Sequence, residues 1–209
     1  RMLFKKGISP NKISPLTKLT LVSDNGLGGL SYEPCQTQEE SEIDFDLDEI
    51  AKEARQLLED ESIDIDLDKI YNLGGSSGGA RPKAHIKIDK DYWIVKFPCI
   101  IDPKNIGEQE YKANELAKEC GINVNEFKLI CSGYFGAKRF DRKDGKRVHM
   151  ISLSSLLETT HRIPNLDYMH LFQVIQNICV DKNDIIEAYK RMCFNVLYGN
   201  KDDHGKNFS

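Results

Sequence analysis

The hydrophobic pattern of this chain changes its period once, and that change limits the possible folds more than any other feature. Residues 83–88 and 92–97 have the composition of strands and flank Asp89, Lys90 and Asp91, so they are predicted to form a β-hairpin. From residue 166 onward, apolar residues recur with helical spacing, over 166–179 and again over 184–198. Strands followed by helices predict the α+β class, with a small β-rich lobe and then a helical lobe.

Further elements are predicted around that hairpin. The strands are 18–22, 127–131, 137–141 and one through His149 and Ile151, and the helices are 48–58 and 107–120, the latter ended by Gly121. Residues 1–38 are rich in Pro, Asn, Gly and Ser, and Asp24, Asn25 and Gly26 are typical of a turn.

Composition excludes several classes of protein. No apolar run approaches the roughly 20 residues of a membrane span, and the first residues lack the apolar stretch of a signal peptide, so we expect a cytoplasmic protein. The six cysteines contain no C-x-x-C pair, which argues against a zinc site. Apolar neighbours of Cys99 and Cys179 predict buried free thiols in a reducing compartment.

Negative charge is concentrated in one segment. Residues 39–68 hold fourteen Asp and Glu against Lys52 and Arg55, although the whole chain has a net charge of only −4. This segment is predicted to be a solvated acidic helix with linkers, or alternatively an interaction surface. The remainder is mildly basic, which suits a nucleotide-phosphate site but is too diffuse to indicate direct nucleic-acid binding.

A Gly-rich run, Gly74-Gly-Ser-Ser-Gly-Gly79, precedes the predicted hairpin. Its backbone N–H groups are unobstructed by Cβ atoms and could approach phosphates closely. A flexible linker is the alternative, but a linker need not open into a sheet. The run lacks the Gly-Lys-Ser/Thr ending of a Walker A loop.

The same run also fits a second, unrelated motif. Gly74, Ser76 and Gly78 match the G-x-S-x-G elbow of α/β-hydrolases, with Asp202 and His204 following in the hydrolase order. A hydrolase elbow is followed by a helix, whereas here a strand is predicted, and Asp202 lies unusually close to His204. A serine hydrolase using Ser76 is therefore the weaker interpretation.

A lysine interrupts an otherwise apolar strand at Lys96. Because burying an unpaired ammonium is costly, a counter-charge is expected, and the next helix offers Glu108 and Glu110. Protein kinases use this arrangement to hold ATP phosphates. A lysine at a sheet edge with an ordinary surface ion pair is the alternative.

The last residues carry the most specific pattern. Asp202 and Asn207 lie five residues apart in a polar loop after a helix, which is the spacing of the kinase loop H-R-D-x-x-x-x-N. In that loop the Asp accepts the substrate proton and the Asn binds magnesium. The spacing is common by chance, but it follows a Gly-rich loop and a strand lysine in the kinase order.

These motifs together resemble the HipA family of toxin kinases. The run 199–209, Gly-Asn-Lys-Asp-Asp-His-Gly-Lys-Asn-Phe-Ser, is similar to the family's G-x-x-D-x-H-x-K-N catalytic loop. Residues 76–83 resemble its Gly-rich loop, 138–142 its E-R-F-D-R hinge, and 24–30 the end of its small N-terminal subdomain. Arg81-Pro82 and Lys138 depart from the family pattern.

The resemblance implies a two-lobed, protein-kinase-like fold and a role for individual residues. Asp202 would be the catalytic base, Asn207 would bind Mg²⁺, and Glu110 is the possible partner of Lys96. The implied ATP-binding residues are Gly75, Ser76, Ser77, Gly78, Gly79, Lys83, Lys96, Lys138 and Phe140. The implied domains are the end of the N-terminal subdomain (1–38), an acidic helix and linker (39–70), the kinase N-lobe (71–150) and a partial helical C-lobe (151–209).

The resemblance also implies substrate, partner and regulation. The substrate would be a serine/threonine protein target such as an aminoacyl-tRNA synthetase, and autophosphorylation of Ser76 would inactivate the enzyme by placing negative charge in the phosphate loop. A HipB-like helix-turn-helix antitoxin would be the partner, with DNA contacted only through it. We expect the chain to be incomplete at its C-terminus, with a second metal-binding Asp beyond Ser209. The alternative is a catalytically dead module that binds nucleotide or antitoxin.

Overall fold

A computed structural model describes residues 13–23, 26–34, 47–49, 51–52, 81–99, 101–131, 133–160 and 165–209. Its elements, in chain order, are α1 (Pro15–Val22), β1 (Lys83–Ile88), β2 (Asp91–Lys96), α2 (Ile106–Glu119), β3 (Phe127–Ile130), β4 (Tyr134–Lys138), β5 (Arg142–Lys143), β6 (Lys146–Arg147), α3 (Leu153–Leu156), α4 (Tyr168–Ile178) and α5 (Asn183–Tyr198). In the part of the chain so described, no helix is long and apolar enough to cross a membrane.

The chain divides into two compact units. The first comprises residues 1–112 and 125–149, and the second comprises 113–124 and 150–209. The sheet lies in the first unit and the last three helices lie in the second. The predicted α+β class is therefore confirmed.

The sheet has four antiparallel strands in the order β1-β2-β4-β3. The predicted hairpin is confirmed, because β1 pairs with β2 from Lys83 opposite Lys96 to Ile88 opposite Asp91. Asp89 turns the chain between them with a φ of 55°, a left-handed conformation that Asp tolerates better than most residues. Strand β4 then pairs with both β2 and β3.

One face of the sheet forms the core of the first unit. Trp93 and Val95 of β2 are buried there with Ala84 of β1. Residues 47–49 and 51–52 are helical, and Leu47 and Ala51, one helical turn apart, pack into the same cluster. The described residues of the acidic segment are therefore helical, with Leu47 and Ala51 in the core; the rest of the predicted helix 48–58 lies outside the described residues.

The opposite face of the sheet packs against α2. Phe135 of β4 lies opposite Lys96, and its ring is 6.1 Å from that of Phe127. Tyr111 of α2 completes this aromatic row, with its ring 5.1 Å from Phe127 in an edge-to-face contact. Alternation along β2 thus sends Trp93 and Val95 to one face and Lys96 to the other.

The second unit has its own core. Leu153, Leu171 and Ala188 are buried in it, one from each of α3, α4 and α5. Helix α4 begins at a capping box, in which the Asp167 side chain accepts from the backbone N–H of His170. Helix α5 is followed by its C-cap Gly199, whose φ of 71° is the left-handed conformation that favours glycine.

Three predicted strands were wrong in place or type. Residues 18–22 belong to helix α1, because Ser14 caps the helix through Thr17 N–H and Pro15 fixes its first turn. The strand predicted at 137–141 lies earlier, at Tyr134–Lys138. No strand passes through His149 and Ile151; the chain instead forms the two-residue strands β5 and β6.

The prediction of buried thiols was wrong for Cys179 and was only partly met at Cys99. Cys120, Cys131 and Cys179 are exposed, and Cys99 and Cys193 are partly buried. Cys179 follows the last residue of α4, and its apolar neighbours Ile178 and Val180 are themselves exposed. Apolar neighbours in sequence therefore did not produce burial here.

Gly107 in α2 provides a test of how closely this helix packs on the sheet. A Cβ at this position would lie 2.1 Å from the carbonyl oxygen of Gly133 and 3.0 Å from the nitrogen of Phe135, both backbone atoms. Glycine-to-alanine changes inside helices normally stabilise by about 0.5–1 kcal/mol. We expect Gly107→Ala to lower the free energy of unfolding by about 2 kcal/mol instead, because the helix must move away from the sheet.

Chemical denaturation measures this difference. Gly145→Asn is the control, since Gly145 has open space around its Cβ position and Asn tolerates its φ of 72°. A Gly107→Ala protein as stable as the parent would contradict the close approach of α2.

Candidate functional site

The predicted strand lysine forms an ion pair with a glutamate on the next helix. Lys96 Nζ lies 2.9 Å from Glu110 Oε2 and 5.3 Å from the centre of the Phe135 ring. The expected counter-charge is present, and the Lys96 side chain is 40% exposed. Lys96 lies on the α2 face of the sheet rather than in the core, which leaves its charged group open to solvent and to a ligand.

Glu110 is shared between two cations. Its Oε1 is 3.2 Å from Arg81 Nη1, while Oε2 meets Lys96. Arg81 in turn binds Asp102 with Nε and Nη2, the latter at 2.8 Å. This fork fixes the guanidinium plane, and with it the orientation of the Glu110 carboxylate that faces Lys96.

The Arg81–Asp102 pair is ionised over a wide pH range. Burial alone would raise the pKa of Asp102, but hydrogen bonds from Arg81 and from the thiol and N–H of Cys99 outweigh it and lower the pKa to about 2. The hydrogen bond to Asp102 raises the pKa of Arg81. The role of Arg81 was not predicted from the sequence.

Lys83 lies directly opposite Lys96 in the β1–β2 ladder, so both side chains project from the same face of the sheet. The ladder continues to Pro82, whose carbonyl accepts from Phe97 N–H at 2.9 Å. The other predicted phosphate-binding residues, Gly75, Ser76, Ser77, Gly78 and Gly79, lie outside the described residues. Two of the predicted ATP-binding residues, Lys83 and Lys96, therefore lie side by side on one face of the sheet.

Two predicted ATP-binding residues, Lys138 and Phe140, lie in the segment 138–140 at the end of β4. The N–H of Lys138 donates to Glu126 O and that of Arg139 donates to Tyr92 O, each at 2.8 Å. The Lys138 ammonium pairs with Asp91 at 2.7 Å, which raises the pKa of Lys138. Phe140 is exposed. Of the three backbone N–H groups of residues 138–140, those of Lys138 and Arg139 are therefore hydrogen-bonded within the protein.

A buried charge network supports the same segment. Asp141 accepts from Arg139 Nη2 at 2.7 Å and from Arg142 Nη1 at 2.9 Å, and all three side chains are at most 10% exposed. Asp141 also accepts from the N–H of Gly28 at 2.8 Å, while Arg142 donates to the carbonyl of Gly26. Residues 26–28 are therefore fastened to the segment after β4.

Burial and neighbouring charges shift the pKa values of several groups in this network. Burial would raise the pKa of Asp141, but hydrogen bonds from Arg139 and Gly28 N–H and the two arginine charges lower it to about 2. Burial lowers the pKa of Arg142. Burial, and then the charge of Arg139, lowers the pKa of His85 to about 4, so that ring is neutral and its Nδ1 can accept from Arg139 Nη1.

The polar loop after α5 contains the predicted catalytic pair, in the second unit. Asp202 is mostly exposed, and its Oδ1 lies 3.3 Å from His204 Nε2. Lys206 N–H donates to His204 Nδ1, so the neutral ring carries its proton on Nε2, facing Asp202. Asn207 Nδ2 donates to the carbonyl of Asp202 at 2.5 Å, which leaves the amide oxygen Oδ1 as the atom that could bind a cation.

The loop is held by the start of α3. Leu153 N–H donates to Phe208 O at 2.8 Å, and Ser154 N–H donates to Gly205 O at 3.0 Å. These are N–H groups that a helix leaves without partners in its first turn. A Cβ on Gly205 would lie 2.6 Å from Leu166 Cδ1, so the loop passes close to the core at this residue.

Two residues of this loop environment were missed by the sequence analysis. The hydroxyl of Tyr168 donates to Asp203 Oδ2, and Asn195 Nδ2 donates to Tyr168 OH at 3.0 Å. Tyr168 is 35 residues from Asp203, so no local pattern connects them. Across the described ranges, no three His, Cys, Asp or Glu side chains cluster as a metal site, and the predicted Asn207 ligand lies outside those residue types.

Three comparisons with known proteins bear on this arrangement. Residues 75–209 match the family described as HipA-like C-terminal domain. A Sinorhizobium fredii protein named "Putative kinase Y4dM" is 28% identical over 134 residues, which cover 56% of this chain and 32% of that protein. The chain thus spans about a third of the length of this relative.

A solved structure is also similar. The Helicobacter pylori proinflammatory kinase CtkA shares 21% sequence identity, with a TM-score of 0.42 over 63% of this chain and 48% of that chain.

The Asp141 network predicts a pH-dependent effect on stability. Because its pKa is lowered from 3.8 to about 2, Asp141 contributes stability that is complete above pH 4 and lost as the pH falls towards 2. We expect Asp141→Asn to lower the free energy of unfolding by about 2–4 kcal/mol at pH 7. Near pH 2 this difference from the parent should be smaller by about 2 kcal/mol.

Urea denaturation at a series of pH values measures the difference in unfolding free energy between Asp141→Asn and the parent. Asp144→Asn, in the exposed turn between β5 and β6, is the control and should give a small difference. A difference for Asp141→Asn that stays constant between pH 5 and pH 2 would contradict the lowered pKa.

Proposed function

The chain belongs to the HipA-like C-terminal domain family, and from that membership we propose that it is an ATP-dependent serine/threonine protein kinase. The observation that carries the proposal is the ion pair between Lys96 on β2 and Glu110 on α2. In protein kinases a strand lysine binds the α- and β-phosphates of ATP and is held by a helix glutamate. The name of the Sinorhizobium fredii relative supports the same class of activity.

The first unit would bind the nucleotide. Lys96 binds the α- and β-phosphates, and Lys83, which projects from the same face, adds a second positive charge. Arg81 holds one oxygen of Glu110 and so presents the other to Lys96. Gly75 to Gly79, which lie outside the described residues, would add backbone N–H groups to the phosphate site. Recognition of ATP is thus mainly a matter of positioned cations and N–H donors.

The adenine ring would meet the backbone of Lys138 to Phe140. Because the N–H groups of Lys138 and Arg139 donate within the sheet, Phe140 is the residue of the three that would donate to the base. The buried Asp141 network immediately after it keeps this short segment in place.

The loop after α5 would carry the transfer step. Asp202 accepts the proton of the substrate hydroxyl, whose oxygen bonds to the γ-phosphorus while the bond to the β–γ bridging oxygen breaks and ADP leaves. His204 Nε2, 3.3 Å from Asp202 Oδ1, is the side-chain group next to this carboxylate. Asn207 would hold Mg²⁺ through Oδ1, an oxygen ligand of the kind this ion prefers, and the ion neutralises phosphate charge when bound.

Substrate, partner and regulation are proposed from the family resemblance alone. The substrate is a protein serine or threonine, with an aminoacyl-tRNA synthetase as the specific candidate, in the cytoplasm. A HipB-like helix-turn-helix antitoxin is the partner, and DNA is contacted only through it. Autophosphorylation of Ser76 switches the enzyme off, because added negative charge repels ATP phosphates.

Binding of ATP with Mg²⁺ is expected to raise the melting temperature, because the ligand binds only the folded state. At a concentration about 100 times Kd the stabilisation is about 2.7 kcal/mol. Lys96→Ala should abolish the shift, whereas Lys90→Ala, in the exposed β1–β2 turn, should preserve it. An unchanged shift in Lys96→Ala would remove Lys96 from the phosphate site, and binding without phosphoryl transfer would indicate a catalytically dead module.

Phosphorylation of Ser76 tests the catalytic assignment. Mass spectrometry of the peptide that contains Ser76 should find phosphate after incubation with ATP and Mg²⁺, and none in Asp202→Ala. Phosphate on Ser76 in the Asp202→Ala protein would point to another kinase, and phosphate on Ser77 alone would move the modified position by one residue.

A further inference from the structure

We propose that Tyr168 is a positioning residue for the catalytic loop and that it acts on Asp202 through the neighbouring residue Asp203. The inference rests on the proposed function, in which Asp202 is the catalytic base. Asp202 is itself mostly exposed, and its side-chain contact with His204 is long, at 3.3 Å. Its direction therefore depends on how the backbone on either side of it is held.

Tyr168 connects the loop to both long helices of the second unit. It is the first residue of α4, and its hydroxyl donates to Asp203 Oδ2 while accepting from Asn195 Nδ2 of α5 at 3.0 Å. The hydroxyl is thus hydrogen-bonded as donor and acceptor, which fixes the direction of its proton towards Asp203. A hydrogen bond to a carboxylate is stronger than one between neutral groups.

The same network reaches the other side of Asp202. Asn195 Oδ1 accepts from Asn200 Nδ2 at 3.2 Å, and Asn200 Oδ1 accepts from the N–H of Asp202 at 3.1 Å. Asn195 therefore links Tyr168 and Asn200, and the two arms of the network end at residues 200 and 203. The backbone of Asp202 is held between them.

The ring of Tyr168 secures the end of the loop. It packs edge-to-face on Phe208 with the ring centres 5.8 Å apart, and Phe208 also belongs to the apolar cluster of this unit. Burial and the hydrogen bond to Asp203 raise the pKa of Tyr168 to about 12, against an opposing contribution from Asn195. The hydroxyl is therefore protonated, and able to donate to Asp203, throughout the physiological pH range.

Tyr168→Phe isolates the hydroxyl, because it keeps the ring and its contact with Phe208. We expect kcat to fall about tenfold with the KM for ATP unchanged, since the nucleotide is bound by residues of the first unit. Tyr189→Phe is the control: Tyr189 is an exposed tyrosine on α5, and its variant should keep the parental kcat. A parental kcat in Tyr168→Phe would overturn the inference.

Variants at Asp203 separate positioning from general stability. Asp203→Asn retains an oxygen that can accept from Tyr168 and should keep most of the activity, whereas Asp203→Ala should match Tyr168→Phe. The double variant Tyr168→Phe with Asp203→Ala should be no slower than either single variant, because both remove the same interaction. Additive losses would show that the two residues act independently and would refute the link.

Hydrogen exchange tests the inference without any activity. In Tyr168→Phe, the peptide that contains residues 202–209 should exchange faster than in the parent, while peptides from the sheet stay unchanged. If the parent protein transfers no phosphate, the proposed function fails, and this measurement still decides whether Tyr168 holds the loop. Unchanged exchange in residues 202–209 would overturn the inference.

Discussion

The pairing of Lys96 with Glu110 is the interaction on which the first unit is organised. A lysine at the end of β2 projects from the α2 face of the sheet, and α2 brings the Glu110 carboxylate to it. Gly107, one turn before Glu110, lets the helix approach the backbone of Gly133. Arg81 then occupies the second oxygen of Glu110, so the end of the Gly-rich loop and the helix are joined by one carboxylate.

A second set of charges stabilises the chain after β4. Asp141 lies almost fully buried between Arg139 and Arg142, and a buried carboxylate of this kind is tolerated only because cations and N–H groups surround it. The network fastens Gly28 to the chain next to Phe140. The proposed adenine segment is therefore held both by its sequence neighbours and by Gly28, 113 positions from Asp141.

Sequence reasoning succeeded where the signal was periodic or carried by a motif. The hairpin, α2, α4 and α5 were predicted nearly to their ends because apolar spacing and turn or capping residues agreed. The predictions were wrong where they rested on the composition of a short stretch alone. Residues 18–22 resemble a strand, yet Ser14 and Pro15 start a helix. Cys179 has apolar neighbours, yet those neighbours, Ile178 and Val180, are exposed at the end of α4.

The sequence by itself determined the α+β class, the family, and the identity of the candidate residues Lys96, Glu110, Asp202 and Asn207, because each belongs to a local pattern or to a motif of fixed spacing. Only the tertiary structure decided what holds those residues in place. Arg81 on Glu110, Gly28 on Asp141 and Tyr168 on Asp203 are contacts between segments 29 to 113 residues apart. Such pairs leave no periodicity in one sequence, because they arise from chain folding rather than from local spacing.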